Sequence, residues 1–571
     1  MENVFSLFAL TSVIATILTL TSPMAHTEIL EVISKVRNVA NEGLKGIEPV
    51  LLVSASVAAS IGALWLLDVI YQDEPLTSRT KRFIFTLVKK IPQVKAKIKE
   101  ETMKAKESIE EEMNACCKEL PQRLSLPEEG LGTEGAIAEA TKYLKVIGYD
   151  WEKGCLSGTV YNHSEELSKL AEKVYGLSAY SNPLHPDVFP GLRNIEAEIV
   201  QMVARLFNGT NEACGTVTSC GTESLVLACK AFRDYAMHVK GIRRPEMVIP
   251  VTAHAGFDKA AELLRMGIKK VPVDPATMQC NMRAMRRAIS RNTCMLVASA
   301  PTFPHGCIDP VQEIAQLGLK YDIPVHVDAC LGGFLIPFMA QAGYDLKPFD
   351  FRVKGVTSIS ADPHKYGFTP KGASVLLFSH PKYRDEQFFV ATDWPGGIYA
   401  SPTIAGSRAG GPIATCWATM LRYGVNGYVE SARKIVSQAR RLEAAFRQIE
   451  GIHVLGVPEV SVVAIGSDVF DIYRLQSNLA SKGFKFAPLQ FPAAIHLALT
   501  HFHKSDEVID RLIDVVRTEV KELLNDPDVP ATGSAGIYGS SQKVPDRSII
   551  GDIAKVYLNA LYSIKEDKNE N

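Results

Sequence analysis

Lys365 stands in the run Ser360-Ala361-Asp362-Pro363-His364-Lys365-Tyr366-Gly367, between an apolar stretch and a glycine. A lysine placed there can attack a carbonyl carbon and hold it as a covalent imine, provided that burial or a cationic neighbour lowers its pKa. The sequence reading therefore expects a depressed lysine, with His364 contributing. Upstream, Asp328 ends the apolar run Val325-His326-Val327-Asp328. An acid at the carboxyl end of a buried strand points into the crevice where α/β sheets bind ligands. An aspartate paired with an imine-forming lysine is what pyridoxal phosphate requires, because the acid keeps the ring nitrogen protonated and the ring can then accept electrons.

Two further segments fit that chemistry. Gly215 to Ser224 reads GTVTSCGTES and leads into the apolar run LVLACKAF. Small residues at a helix start expose backbone N–H groups that cradle a phosphate, and Ser219 and Thr222 add hydroxyls. His254 follows another strand-like run and is suited to stack on a planar ring.

The elements that must position these side chains follow from hydrophobic periodicity. Strands are expected at Met247–Pro250, Lys270–Val273, Met295–Ala300, Pro324–Val327, Ser358–Ala361 and Ser374–Phe378, with helices such as Phe257–Arg265 and Pro310–Lys320 between them. Such alternation predicts an α/β domain with a mainly parallel sheet. After Thr415 a long helical stretch leads into a smaller unit, with strands Val460–Ile465 and Ala494–Leu499 and helices Ile472–Lys482 and Asp506–Leu524. A final helix is expected near Ile549–Tyr562.

The amino terminus has a different character. Nineteen uncharged residues run from Pro49 to Leu67. As a helix they span about 28 Å, close to the ~30 Å hydrocarbon core of a bilayer. The earlier apolar run Val4–Thr21 lacks a basic leader, and signal anchor, second span and interfacial helix all stay open for it. Eight basic residues and no acid lie between Arg79 and Lys99, which places everything after the span in the cytosol. The sequons at Asn162 and Asn208 then escape glycosylation. Alternating Lys and Glu over 95–120 predict a solvated linker helix.

Composition narrows the classes. The 571 residues carry 62 Lys+Arg against 63 Asp+Glu, a formal charge of −1, which excludes a globally basic nucleic-acid binder. The 46% hydrophobic content is globular. Eleven scattered cysteines without a C-x-x-C pair give neither a metal site nor a disulfide framework.

In detail the chain resembles the fold-type I pyridoxal-phosphate enzymes and, among them, the sphingosine-1-phosphate lyase family. The matching blocks include SGTVY (157–161), NPLHPDVFPG (182–191), EAEIV (196–200), TSCGTES (218–224), SAPTFPHGCIDP (299–310), HVDACLGGF (326–334), SADPHKYGFTPKG (360–372) and GGIYASPTIAGSR (396–408). The resemblance spans roughly 120–565. It implies a segment 1–48 on the luminal side or at the membrane, a transmembrane helix 49–71 and a charged linker 72–125. A large cofactor-binding domain 126–414 and a smaller carboxyl-terminal α/β domain 415–571 would follow. It assigns covalent cofactor attachment to Lys365, the ring nitrogen to Asp328, stacking to His254, and the cofactor phosphate to Cys220, Gly221 and Thr222, with His364 nearby. Tyr161, His185, Lys371 and Tyr399 match positions tied to the substrate phosphate or to catalysis. The family has Gly-Gly-Thr where this chain has Cys220-Gly221-Thr222, a departure that a negative φ at Cys220 would tolerate, though it sets a thiol beside an anion site. The activity implied is retro-aldol cleavage of a phosphorylated sphingoid base to phosphoethanolamine and a long-chain aldehyde, by a homodimer in the endoplasmic reticulum membrane with its catalytic domain in the cytosol. The proton-accepting base stays open between Lys371, a tyrosine and the substrate phosphate. The competing readings are an amino-acid decarboxylase on the same scaffold and an inactive membrane scaffold.

Overall fold

The computed structural model describes residues 87–529 except 122, residues 547–564, and a few residues between 48 and 85 and at 531. Two compact units divide the chain at Lys97/Ile98. Residues 4–21 and most of 49–71 lie outside the described residues. Among the described residues no helix is long and apolar enough to cross a membrane. The Lys/Glu stretch is helical over Pro92–Asn114.

The second unit is organised by a seven-stranded sheet. In chain order its strands are β1 (Cys214–Thr218), β2 (Glu246–Pro250), β3 (Gly267–Val271), β4 (Thr293–Ser299), β5 (Val325–Ala329), β6 (Val356–Ala361) and β7 (Ser374–Phe378), arranged β1-β7-β6-β5-β4-β2-β3. Strands β3, β2, β4, β5 and β6 are mutually parallel. β7 runs against both β6 and β1.

Burial on both faces explains the near-continuous apolar runs in these strands. Met247, Ile249, Met295, Val297, Leu376 and Phe378 pack on one side, with Leu225, Ala228 and Phe232 of the helix Gly221–His238. Val248, Leu296, Ala298, Val325, Val327 and Leu377 pack on the other. Side chains alternate across a strand, so each strand serves two helical layers.

The reversed strand has a consequence for chemistry. Because β7 is antiparallel, its first residue Ser374 pairs with Thr218 at the end of β1, and Val375 pairs with Ala361 at the end of β6. The segment before β7, which carries Lys371, therefore returns to the edge where β6 delivers Lys365.

Beyond the sheet, a short hairpin is formed by β8 (Phe389–Ala391) and β9 (Tyr399–Ser401). The helix Gly410–Phe446 follows and is broken at Gly424, whose φ of 55° and ψ of −177° suit glycine. The domain boundary expected at residue 415 falls inside this helix. A second sheet comprises β10 (His453–Val454), β11 (Val462–Gly466), β12 (Ala487–Leu489) and β13 (Ala494–Ala498) in the order β10-β11-β13-β12. All its pairings are antiparallel. The helices Ile472–Ser481 and Asp506–Leu523 accompany it, capped by Asp471 and Ser505. Val462, Val463, Leu497 and Leu499 belong to the same apolar core as the large sheet.

Candidate active site

A cavity of about 290 Å³ opens at the carboxyl edge of the large sheet. Tyr161, Cys220, His254, Asp328, His364 and Lys365 are among the residues that line it. Five strand ends or the turns after them supply its walls, as expected for a parallel sheet.

Lys365 sits in the turn after β6, its backbone N–H donating to Asp362 O at 3.1 Å. Its Nζ lies 2.9 Å from Asp362 Oδ2. Asp362 is 2% exposed, and His364 Nε2 approaches the same oxygen at 3.5 Å. Burial works to lower the Lys365 ammonium, but Asp362 outweighs it and the lysine is held above its ordinary value. For Asp362, burial works upward and loses to the charges of Lys365 and His364, so the carboxyl is held below its ordinary value. The depressed lysine expected at 365 is thus corrected: the acid three residues earlier reverses the sign. The depressed lysine is Lys371, lowered by burial and then by Lys365. Lys371 Nζ donates to His364 O at 3.3 Å and lies 5.1 Å from the centre of the Tyr161 ring.

Asp328 is fixed from two directions. Its Oδ1 accepts from Cys330 N–H at 3.1 Å and from Ser360 Oγ at 3.3 Å. Ser360 is its register partner on β6 and also contacts His326 Nε2 at 3.2 Å, while His326 Nδ1 meets Ser358 Oγ at 2.7 Å. Burial pushes His326 down to about 4, so this support is neutral. His254 is held by its own turn, with Gly256 N–H donating to Nδ1 at 3.0 Å.

The cradle is the start of the helix Gly221–His238. Cys220 precedes it with φ −167° and ψ 165°, an extended backbone that any residue adopts, so the cysteine introduces no strain. At Gly221 a Cβ would lie 2.6 Å from Asp362 Oδ2 and 3.0 Å from Cys330 Sγ, so no larger residue fits. Glu223 Oε2 accepts from Ser219 N–H and Oγ–H, both at 2.7 Å, and Glu223 Oε1 accepts from Ile404 N–H at 3.1 Å. A hydroxyl chain, Thr218 to Ser224 to Ser374, ties β1, the helix and β7 together at 2.7 and 2.8 Å.

Lys371 is not among the residues lining this cavity but stands beside Tyr161, which is; His185 and Tyr399 do not line it either. His185 is exposed in the turn after Asn182. Tyr399 lies on β9, its ring 6.2 Å from that of Trp394. Their motifs nonetheless meet one another. Asn182 Oδ1 accepts from Arg408 N–H at 3.1 Å, and the Arg408 guanidinium forms a two-pronged ion pair with Glu196. These three residues stand in the family motifs with no task evident from the sequence, and none is evident there for Asp362 or His326. For Asp362 the available signal was its position three residues before Lys365 in a turn.

The residues present fit pyridoxal phosphate. Asp362 Oδ1 and His364 Nδ1 are buried without a partner, the helix start offers an anion cradle, and an acid and a lysine stand at adjacent strand ends. The model of the pyridoxal-dependent decarboxylase conserved domain matches residues 127–466, which sets the class. Within it, the chain is 48% identical over 521 residues to sphingosine-1-phosphate lyase of Drosophila melanogaster, covering 91% of this chain and 96% of that one. The solved sphingosine-1-phosphate lyase of Burkholderia pseudomallei superposes with a TM-score of 0.70 at 38% identity, over 72% of this chain and 95% of that one. Glutamate decarboxylase of Lactobacillus brevis shares the fold, with a TM-score of 0.61 at 20% identity over 72% of this chain and 96% of that one. The chain belongs to the sphingosine-1-phosphate lyase family, and its cofactor is pyridoxal phosphate.

Proposed function

We propose that this protein cleaves sphingosine 1-phosphate and related phosphorylated long-chain bases to phosphoethanolamine and a long-chain aldehyde. The observation that carries the reading is the 48% identity to the Drosophila lyase across nearly the whole of both chains. The decarboxylase reading has the family model over residues 127–466, which sets the class, and a 20% identical neighbour, which speaks for the fold alone.

Bound in the cavity, pyridoxal phosphate supplies an acceptor for the electron pair released when the substrate's C2–C3 bond breaks. The chain's own residues do the rest. Lys365, here ion-paired with Asp362, would hold the cofactor covalently. Asp328, fixed by Cys330 and Ser360, would keep a proton on the ring nitrogen. His254 would shield one ring face, and Cys220, Gly221 and Thr222 would hold the cofactor phosphate, with His364 nearby. Lys371, the lysine with the depressed pKa, is our choice to take the proton of the substrate's 3-hydroxyl. Tyr161, whose hydroxyl burial pushes up, stays a donor.

His185 and Tyr399 do not line the cavity of their own chain, so we read them as serving a partner's site and the working form as a homodimer. Exposed Trp394, Ile398 and Ile404 beside Tyr399 support that reading. The uncharged stretch Pro49–Leu67 and the basic residues after it support an anchor in the endoplasmic reticulum membrane with the catalytic body in the cytosol. Incubation with sphingosine 1-phosphate should yield phosphoethanolamine and hexadecenal by mass spectrometry. Release of carbon dioxide from amino acids, with no aldehyde from the lipid, would favour the decarboxylase instead.

A further inference from the structure

We propose that Cys220 is an oxidation-sensitive gate on cofactor loading: hydrogen peroxide oxidises its thiol in the free cradle, and the oxidised side chain then keeps the cofactor phosphate out. The proposal rests on the assignment of that cradle to the phosphate.

Position is the first argument. Cys220 is the residue before an 18-residue helix whose first N–H groups are the anion donors of the site. Its side chain accepts no capping bond and makes one weak contact, with Ser219 Oγ at 3.8 Å. It lines the same cavity as Lys365 and Asp328. Asp362 and His364, with 2% and 8% of their surface exposed, line it as well, and Asp362 Oδ1 and His364 Nδ1 are buried without a hydrogen-bond partner, open to a ligand.

Selectivity is the second. The other eight cysteines from Cys155 to Cys416 are all buried. Burial raises Cys229 and Cys330 well above the ordinary thiol value, and Cys294, Cys307 and Cys416 to about 12. A thiol must be reachable and able to ionise to react with peroxide. Cys220 is partly exposed. Cys116 and Cys117 are exposed too, but they lie before the catalytic body.

The chemistry balances. The sulfur attacks one peroxide oxygen, the O–O bond breaks, and an S–O bond forms. The departing hydroxide leaves as water with the thiol proton, so sulfur loses two electrons and peroxide gains them. A second equivalent gives a sulfinic acid, ionised at neutral pH. That negative charge occupies the helix start, where it is stabilised as a phosphate would be. A cofactor phosphate already in place covers the thiol and protects it.

The test uses the full-length chain with and without pyridoxal phosphate, beside a Cys220→Gly variant treated identically. After peroxide, the Cys220 peptide is weighed and cofactor uptake is measured by titration. The cofactor-free wild-type chain should gain one and then two oxygens at Cys220. Its cofactor affinity should fall by at least about tenfold, the size of one charge-assisted bond to the phosphate. The one-oxygen form should recover with a thiol reductant. The cofactor-loaded chain should gain none there, and the variant should bind cofactor equally well before and after peroxide. Oxidation at Cys220 with unchanged uptake would overturn the proposal, and so would an equal loss in the variant. Failure of untreated wild-type chain to take up cofactor would instead overturn the assignment of the cradle.

Discussion

At the carboxyl edge of the large sheet, Asp328, Lys365, His254 and the Cys220–Thr222 cradle converge on one cavity within a single chain. On the β8–β9 hairpin and in the turn after Asn182, Tyr399 and His185 lie outside it, among exposed apolar side chains. Both regions carry family motifs, but their support differs. The first is set by parallel strands whose registers align Ser299, Asp328 and Ser360 side by side. The second is set by bonds from the loop residue Arg408, which donates to Asn182 in another loop and pairs with Glu196 of the helix Pro190–Leu206. A strand register is fixed by burial on both faces. A loop surface with Trp394 57% and Ile398 78% exposed is shaped to meet something else. The cavity is thus lined within one chain, and the homodimer proposed above gives the exposed hairpin its task.

The sharpest way to break the first half of that contrast is Lys365→Ala. Turnover should fall on the order of 10⁴-fold or more, as for loss of a covalent nucleophile, and the visible absorbance of the bound cofactor should vanish. Retention of either would remove the cavity from the chemistry. The second half is tested by Ile398→Asp. A charge there should separate the subunits, seen as a halved mass by light scattering, and should lower turnover by about tenfold or more. An unchanged dimer with full activity would show that the hairpin serves no subunit contact.

The smallest effect expected at neutral pH concerns stability, and it belongs to buried and half-buried histidines rather than to the hairpin. Burial pushes His305, His326, His496, His501 and His503 down to about 4. In the unfolded chain such groups titrate near 6.5. Between those values the unfolded chain binds protons that the fold refuses. Their contribution is therefore fully present above about pH 6.5 and is lost as pH falls towards about 4, at about 1.4 kcal/mol per unit for each. Asp309, pushed up to about 6 by burial, opposes them as one group against five. Urea midpoints should be level from pH 8 to 7 and drop steeply by pH 5, a range of our choosing about the ordinary histidine value. A flat profile down to pH 5 would contradict the burial of these rings.

Much of the cavity was legible because strand ends are legible. Ser374–Phe378 was read with its observed limits, and β2, β4, β5 and β6 fell within two residues. β3 was read three residues late, because its lysines at 269 and 270 hide an edge strand in charge. β1 is absent from the strands expected from the sequence, where its residues read as a small-residue run before a helix. Its Cys-Gly-Thr-Val-Thr has little apolar mass, and pairing with β7 is what makes it a strand. The site residues were found by type and order, but their electrostatics were not. The raised pKa of Lys365 depends on a 2.9 Å contact with a buried acid, and no spacing rule supplies that distance. The bond from Arg408 to Asn182, 226 residues apart in sequence, is of the same kind. The proposed orientation in the membrane rests on the basic residues from Arg79 to Lys99, of which Arg79, Lys81 and Arg82 lie outside the described residues. The sequon amides, by contrast, are seen at work inside the fold, Asn162 donating to Tyr423 and Asn208 to Asp350.

Borohydride reduction of the cofactor-loaded protein tests the central assignment most directly. It should leave the pyridoxyl group covalently fixed to one peptide, with the modified residue mapped to Lys365 by fragment masses. A pyridoxyl group on Lys371, or on any lysine outside the cavity, would contradict the account.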